Sequence, residues 1–178
     1  MKKVFAFLPK PNGCFAVFTG NDDGSYEFRF FSDIPEGYNN NIRVKVFAKD
    51  LFECRNEEDE LISIIVRPDN RPYDNLKTIT KTAYNVATVK AILDLQSFRT
   101  YWINRAKNWQ GYFNLLDLLP DAGGNIKTAA LMRAKEIAPG IEFHRSEEAE
   151  CFLIGIYGIY EILKTTVGGI KDGRTRTE

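Results

Sequence analysis

The apolar residues of this chain come first in short runs parted by turn residues, and only later at helical spacing. Val4 to Leu8 is an apolar run stopped by Pro9-Lys10-Pro11-Asn12-Gly13, whose Asn-Gly pair suits a tight turn. Cys14 to Thr19 forms a second run, closed by Gly20-Asn21-Asp22-Asp23-Gly24, and Tyr26 to Phe31 a third. Two tight connections between three short runs predict an antiparallel meander. After a polar loop over residues 32–42, a mixed pattern suggests a helix near 45–55. Leu61 to Val66 is continuously apolar and β-branched, as a central strand covered on both faces requires. Pro68 and Pro72 end it.

The period then lengthens. Leu76 to Leu95 predicts a long helix in which Ala83, Ala87 and Ala91 form a small-residue stripe, suited to close approach to the sheet or to another helix. Phe98 to Ile103 predicts a further strand, Ala106 to Phe113 a short helix, and Ile126 to Ala138 a helix ended by Pro139-Gly140. The last helix spans 146–164 and is apolar on nearly every face, so it should be buried almost all round. The order β-β-β-α-β-α-β-α-α-α implies an α/β fold, a mixed sheet with helices on both faces. Residues 1–164 are expected to form a single domain, and 165–178 a disordered tail.

Composition narrows the function less than the pattern narrows the fold. Lys and Arg number 24, as do Asp and Glu, so no global charge demands a nucleic acid or a membrane. Locally, residues 49–60 are acidic and residues 67–108 basic, as a phosphate-facing surface or a charged outer helix face would be. Cys14, Cys54 and Cys151 are scattered among apolar neighbours, which suggests reduced thiols in a cytoplasmic protein. No apolar run reaches the roughly 20 residues of a membrane span.

Candidate chemistry gathers at the start of the last helix. Ser146 is a plausible N-cap, and Glu147, Glu148 and Glu150 occupy the first turn, where the helix dipole favours negative charge. Glu147 and Glu150 are three apart and share a face, which suits either a divalent cation held by oxygen ligands or a solvated, dipole-compensating helix start. Arg71, Lys77, Thr80 and Lys81, around the start of the long helix, are placed to meet phosphates, with Arg105 and Lys107 further on. Trp109, Tyr112 and Phe113 would serve either base stacking or the core, and the lone His144 sits near the helix tip.

Five segments in order resemble RuvC-type Holliday junction resolvases, especially their phage-like branch. Phe5-Ala6-Phe7-Leu8-Pro9-Lys10-Pro11-Asn12-Gly13-Cys14-Phe15-Ala16-Val17 is similar to the family's opening, apolar-Ala-Ile-Asp-Pro-Gly-x-Asn-Gly-Ala-x-Ala-Val. Ile64-Ile65-Val66-Arg67-Pro68 resembles its apolar strand ending in a catalytic Glu, and Ile103-Asn104-Arg105-Ala106-Lys107-Asn108-Trp109 its Val-x-Pro-x-x-Trp segment. Lys127 to Ala134 with Pro139 resembles its penultimate helix, and Glu148 to Gly155 its closing Arg-Ala-Asp-Ala-Leu-Leu-Ile-Ala.

The resemblance implies a ribonuclease H-like fold with a mixed five-stranded sheet, three antiparallel strands followed by β-α-β. It also implies two Mg²⁺ or Mn²⁺ ions held by about four acids, cutting DNA. Carried over position by position, those acids fall on Leu8, Arg67, Glu147 and Glu150, so the set is degenerate and no cofactor is expected. Arg67 is expected to pair with Glu150 or Glu147 in place of metal. Were the register different, Glu53, Asp69 or Asp74 would supply an acid, and Glu147 and Glu150 would remain the ligands of any bound ion. The first functional expectation is a pseudo-resolvase, of phage or viral origin, that binds branched or duplex DNA, with a homodimer across the long helix. The others are an active divergent Holliday junction endonuclease and a ribonuclease H-like fold reused to bind or inhibit a protein.

Overall fold

The computed structural model describes residues 1–10, 13–37, 41–67, 75–104 and 106–170. Strands β1 (Lys2–Phe7), β2 (Cys14–Gly20) and β3 (Tyr26–Asp33) form the antiparallel meander. Strands β4 (Glu60–Val66) and β5 (Arg99–Ile103) add in parallel to its other side, giving the order β3-β2-β1-β4-β5. Helices α1 (Val44–Glu53) and α2 (Leu76–Leu95) cover one face. Helices α3 (Ala106–Tyr112), α4 (Ile126–Ile137) and α5 (Ser146–Tyr157) cover the other. The architecture is the expected α/β ribonuclease H-like one.

Strand alternation divides the core between the two layers. Val4 and Ala6 of β1, with Ile62 and Ile64 of β4, face α5. Phe5, Phe7, Leu61 and Ile65 face α1 and α2, where Phe5, Phe7, Phe15, Phe47 and Phe98 form an aromatic cluster. Strand β4 is thus buried on both faces from Leu61 to Ile65, and its one polar side chain there, Ser63, donates to Thr100 at 2.8 Å.

Helix α5 lies directly on β1, β2 and β4 because two glycines leave room. A Cβ on Gly155 would stand 2.3 Å from the Phe18 ring and 3.2 Å from Ala6. One on Gly158 would stand 2.1 Å from Ile64 Cδ1. A further close approach is at Gly13, where a Cβ would meet the carbonyl oxygens of Leu8 at 2.2 Å and Lys10 at 2.7 Å. Gly13 therefore lets the chain fold tightly between β1 and β2, with Leu8 N–H donating to Cys14 O at 3.0 Å.

Four expectations need correction. The last helix does not run regularly to 164; it changes at Gly158 into a π-helical turn, Gly158–Ile162. Its N-cap is Arg145, and Ser146 is already helical. The end is secured instead by the buried Glu148 carboxylate, which accepts from the backbone N–H groups of His144 at 2.7 Å and Arg145 at 3.3 Å. Residues 165–170 are not a structureless tail. Val167 is buried beside Tyr26, whose N–H donates to Thr166 O and whose carbonyl accepts from Gly168 N–H. Only 171–178 of the expected tail lie outside the described residues. Finally, Ala83, Ala87 and Ala91 face solvent, and Asn85, Val89, Ile92 and Leu93 form the buried side of α2. The small-residue stripe does not meet the sheet because larger apolar side chains on the opposite face bury more area there.

Gly155→Ala and Gly158→Ala should each lower stability by about 1–3 kcal/mol, because the added methyl meets a close-packed wall. Gly111→Ala, in α3 with nothing within 4 Å of the added methyl, should be neutral or slightly stabilising. Urea unfolding of the three variants checks the contrast.

Candidate functional site

The tip of α5 meets the far ends of β1 and β4, where their parallel chains leave the sheet. Glu147 stands there in two ion pairs: its Oε1 lies 3.2 Å from Lys10 Nζ and 3.0 Å from Lys127 Nζ. Ser146 Oγ donates to its Oε2 at 3.0 Å. Lys10 comes from the β1–β2 turn that Gly13 tightens. Lys127 comes from the first turn of α4, whose N-cap Asn125 accepts from the Lys127 amide. Three separate segments therefore converge on one carboxylate.

Glu150, one turn further on, is buried, and its Oε2 has no hydrogen-bond partner among the described residues. The two acids respond oppositely to this shared environment. Burial alone would push Glu147 up, but hydrogen bonds from Lys127, its own amide, Lys10 and Ser146 outweigh it and bring its pKa to about 2. Burial pushes Glu150 above the usual carboxylate range despite Lys10 and Lys127, with the Glu147 charge acting in the same upward direction. Lys127 is held above its ordinary value, chiefly by its hydrogen bond to Glu147.

Behind the acids, Cys14 Sγ and Cys151 Sγ lie 3.0 Å apart as free thiols, and Cys14 Sγ donates to Glu147 O at 3.1 Å. This pairing of a β2 cysteine with an α5 cysteine was invisible as spacing, since 137 residues separate them.

The strand side of the site is apolar. Leu8 packs on the α5-facing core. Continuing the parallel register Phe7↔Ile65 by one residue brings Leu8 beside Val66, which packs on the same core. Arg67 has the opposite parity. Its guanidinium lies over Trp102, 5.5 Å from the ring centroid, and makes no ion pair with Glu147 or Glu150. The expected pairing of Arg67 with Glu150 or Glu147 is absent; Lys10 and Lys127 pair with Glu147 instead, and Val66, not Arg67, shares the face of Leu8. A divalent-metal centre fits these groups poorly, with two ammonium groups beside the acids and aliphatic side chains on both strands. Among the described residues no three His, Cys, Asp or Glu side chains are arranged to hold a metal ion. Glu53, an alternative acid, sits at the end of α1 on the other layer, 3.4 Å from Lys49. Asp69 and Asp74 lie outside the described residues.

The candidate phosphate-binding residues are placed as follows. Lys77, Thr80 and Lys81 line an open depression of about 670 Å³ with Asn41, Leu76 and Tyr84. Lys107 is exposed in the first turn of α3. Arg71 and Arg105 lie outside the described residues. Because α2 and α3 follow the C-terminal ends of β4 and β5, Lys77, Lys81 and Lys107 share the end of the sheet that holds Lys10 and Lys127. The acidic stretch lies at the opposite end, where Asp59 pairs with Lys3 and Glu60 with Lys2. Trp109 and Phe113 are core residues, Tyr112 is half-buried, and His144 is a surface side chain 3.7 Å from Glu142.

Glu147 also carries a pH signature. Its folded pKa, about 2, lies below its ordinary value, so its contribution is present above the ordinary carboxylate range and lost as pH falls toward 2. Glu147→Gln should flatten the loss of stability over that acid window, as read by urea unfolding at a series of pH values.

No protein-family model matches the sequence, and no curated protein matches it. Solved structures do. Thermus thermophilus RuvC in complex with a Holliday junction substrate is similar at a TM-score of 0.60 and 12% identity, over 95% of this chain and 98% of that one. A second Thermus thermophilus RuvC structure is similar at a TM-score of 0.54 and 10% identity, over 92% and 97%. The yeast mitochondrial Holliday junction resolvase Ydc2 gives a TM-score of 0.45 and 12% identity, over 85% and 76%. Among the described residues no helix is long and apolar enough to cross a membrane. Over nearly its whole length, the chain has the ribonuclease H-like fold of the RuvC-type Holliday junction resolvases.

Proposed function

We propose that the protein is a RuvC-like DNA-binding protein, engaging branched or duplex DNA, that has lost nuclease activity and binds no catalytic Mg²⁺ or Mn²⁺. The observation that carries this reading is the pairing of Glu147 with Lys10 and Lys127, opposite Leu8 and Val66, in a RuvC-type fold. Two-metal cleavage needs clustered oxygen ligands to hold the ions and lower the pKa of an attacking water. An ammonium group offsets the charge of an acid but cannot activate water in that way. Binding is supported by the collection of Lys77, Lys81 and Lys107 at the same end as the lysine-paired Glu147. The balanced net charge does not oppose it, because the 49–60 acids lie at the other end.

The exposed side of α2 supports a homodimer on this reading. Leu76, Ala83, Tyr84, Ala87, Ala91 and Leu95 share one exposed side of α2 at helical spacing, interrupted by Thr80 and Asp94, with Leu76 79% and Leu95 86% exposed. Its small central residues and larger ends suit antiparallel packing against a second copy. Ala87→Glu should convert a dimer to a monomer in sedimentation velocity.

Fluorescence anisotropy with a labelled four-way junction, followed by a cleavage assay in Mg²⁺ and Mn²⁺, tests the proposed function. Binding that weakens steeply with salt, without strand scission, is the expected result. Metal-dependent scission would establish an active endonuclease instead. Absence of DNA binding at low salt would favour a protein-binding or inhibitory role for the fold.

A further inference from the structure

We infer that Lys10 and Lys127 take over the electrostatic role of the two metal ions, making the Glu147 corner a metal-independent binding site for a backbone phosphate. The inference rests on the DNA-binding reading above and names where that reading would place a phosphate. Neither lysine figured among the candidate residues drawn from the sequence.

The geometry has three parts. Two ammonium groups share one carboxylate oxygen, at 3.2 and 3.0 Å, so they sit close together and one negative charge serves both. Each ammonium has three donors and spends one on Glu147, which leaves donors for a second anion. Both side chains are accessible, Lys10 38% and Lys127 46% exposed, whereas the Glu147 side chain is only 20% exposed. The cations therefore stand on the solvent side of the acid they neutralise. Leu8 and Val66 close the site from the strand side without adding charge.

The arrangement is held in place rather than left to chance. Lys10 is carried by the turn that needs Gly13, and Lys127 by an α4 start capped by Asn125. Glu147 draws the two together, as an anchor that an arriving phosphate must partly displace. Phosphate and Glu147 then compete for the same donors, and the competition sets the sign of the test.

The experiment measures junction affinity against salt for the wild-type chain in EDTA and in Mg²⁺, and for four variants. Wild-type binding should persist in EDTA and should not be tightened by Mg²⁺, which acts only as a competing counterion. Lys10→Met with Lys127→Met should weaken binding at least tenfold and reduce the log–log salt slope by about 2, one for each phosphate-facing lysine. Glu147→Gln should tighten binding several-fold, because it removes the competing anion. Lys10→Arg with Lys127→Arg, which keeps both charges, should bind like wild type; it and Glu147→Gln decide the matter if the double Met variant does not fold. An unchanged affinity in Glu147→Gln, or an unchanged slope in the double Met variant, would overturn the inference. Lys77→Ala with Lys81→Ala separates the two levels. If that variant loses affinity while the Lys10 and Lys127 variants do not, the DNA reading stands and this site falls alone. If the wild-type chain binds no DNA, both fall.

Discussion

The rest of the structure depends on how closely α5 lies against the sheet. Gly155 against Phe18 and Gly158 against Ile64 remove the two Cβ atoms that would hold the helix away. The helix is therefore buried from Glu148 to Ile156, and its charged tip is fixed where β1 and β4 end. A looser helix would leave Glu147 and Glu150 in solvent, where carboxylates need no partners. Close packing puts them at the edge of a low-dielectric layer, where their charge must be offset or suppressed. The two acids show both outcomes: lysines hold Glu147 ionised, and burial pushes Glu150 toward its neutral form.

The same packing organises charge over the molecule. Parallel strands β1, β4 and β5 all end on one side, and the turn or helix after each begins there. Lys10, Lys77 and Lys107 follow β1, β4 and β5, and Lys127 joins them through Glu147. The acids of the 49–60 stretch precede β4 and so fall at the other end. Among the 24 positive and 24 negative side chains, these lysines and the 49–60 acids thus take opposite ends of the strands. A charge sum taken over the sequence carries no information about that polarity.

Most elements were legible because each leaves a local trace. Turn residues bracket β1 to β3, and the long apolar period marks α2 and α5. What was not legible depends on parity and on distance. Strand β4 is apolar from Leu61 to Val66 at every position but Ser63, so no alternation indicates which side chains face α5. Arg67 was accordingly assigned to the acid site, although it belongs with Trp102 on the other face. The outward turn of Ala83, Ala87 and Ala91 was hidden similarly, since α2 carries apolar residues on two sides. Lys10 and Lys127 lie 137 and 20 residues from Glu147, and no local pattern joins them. Glu147 and Glu150 could be picked out beforehand because their spacing is helical; their partners could not.

An acid pair fixed at a helix tip can be satisfied in two physically different ways. A divalent cation brings charge, vacant coordination positions and Lewis acidity together, so it binds phosphate and activates water at once. A pair of lysines brings charge and hydrogen-bond donors, always present and tied to the chain, without a position at which water is activated. Exchanging one for the other separates recognition from chemistry while leaving the helix, the sheet and the ends of the strands unchanged. On the proposed reading, the fold would keep a phosphate-directed surface although Leu8 and Val66 offer a metal no ligand. Retention of Glu147 has its own reason on this account, since without that carboxylate two neighbouring ammonium groups would repel each other.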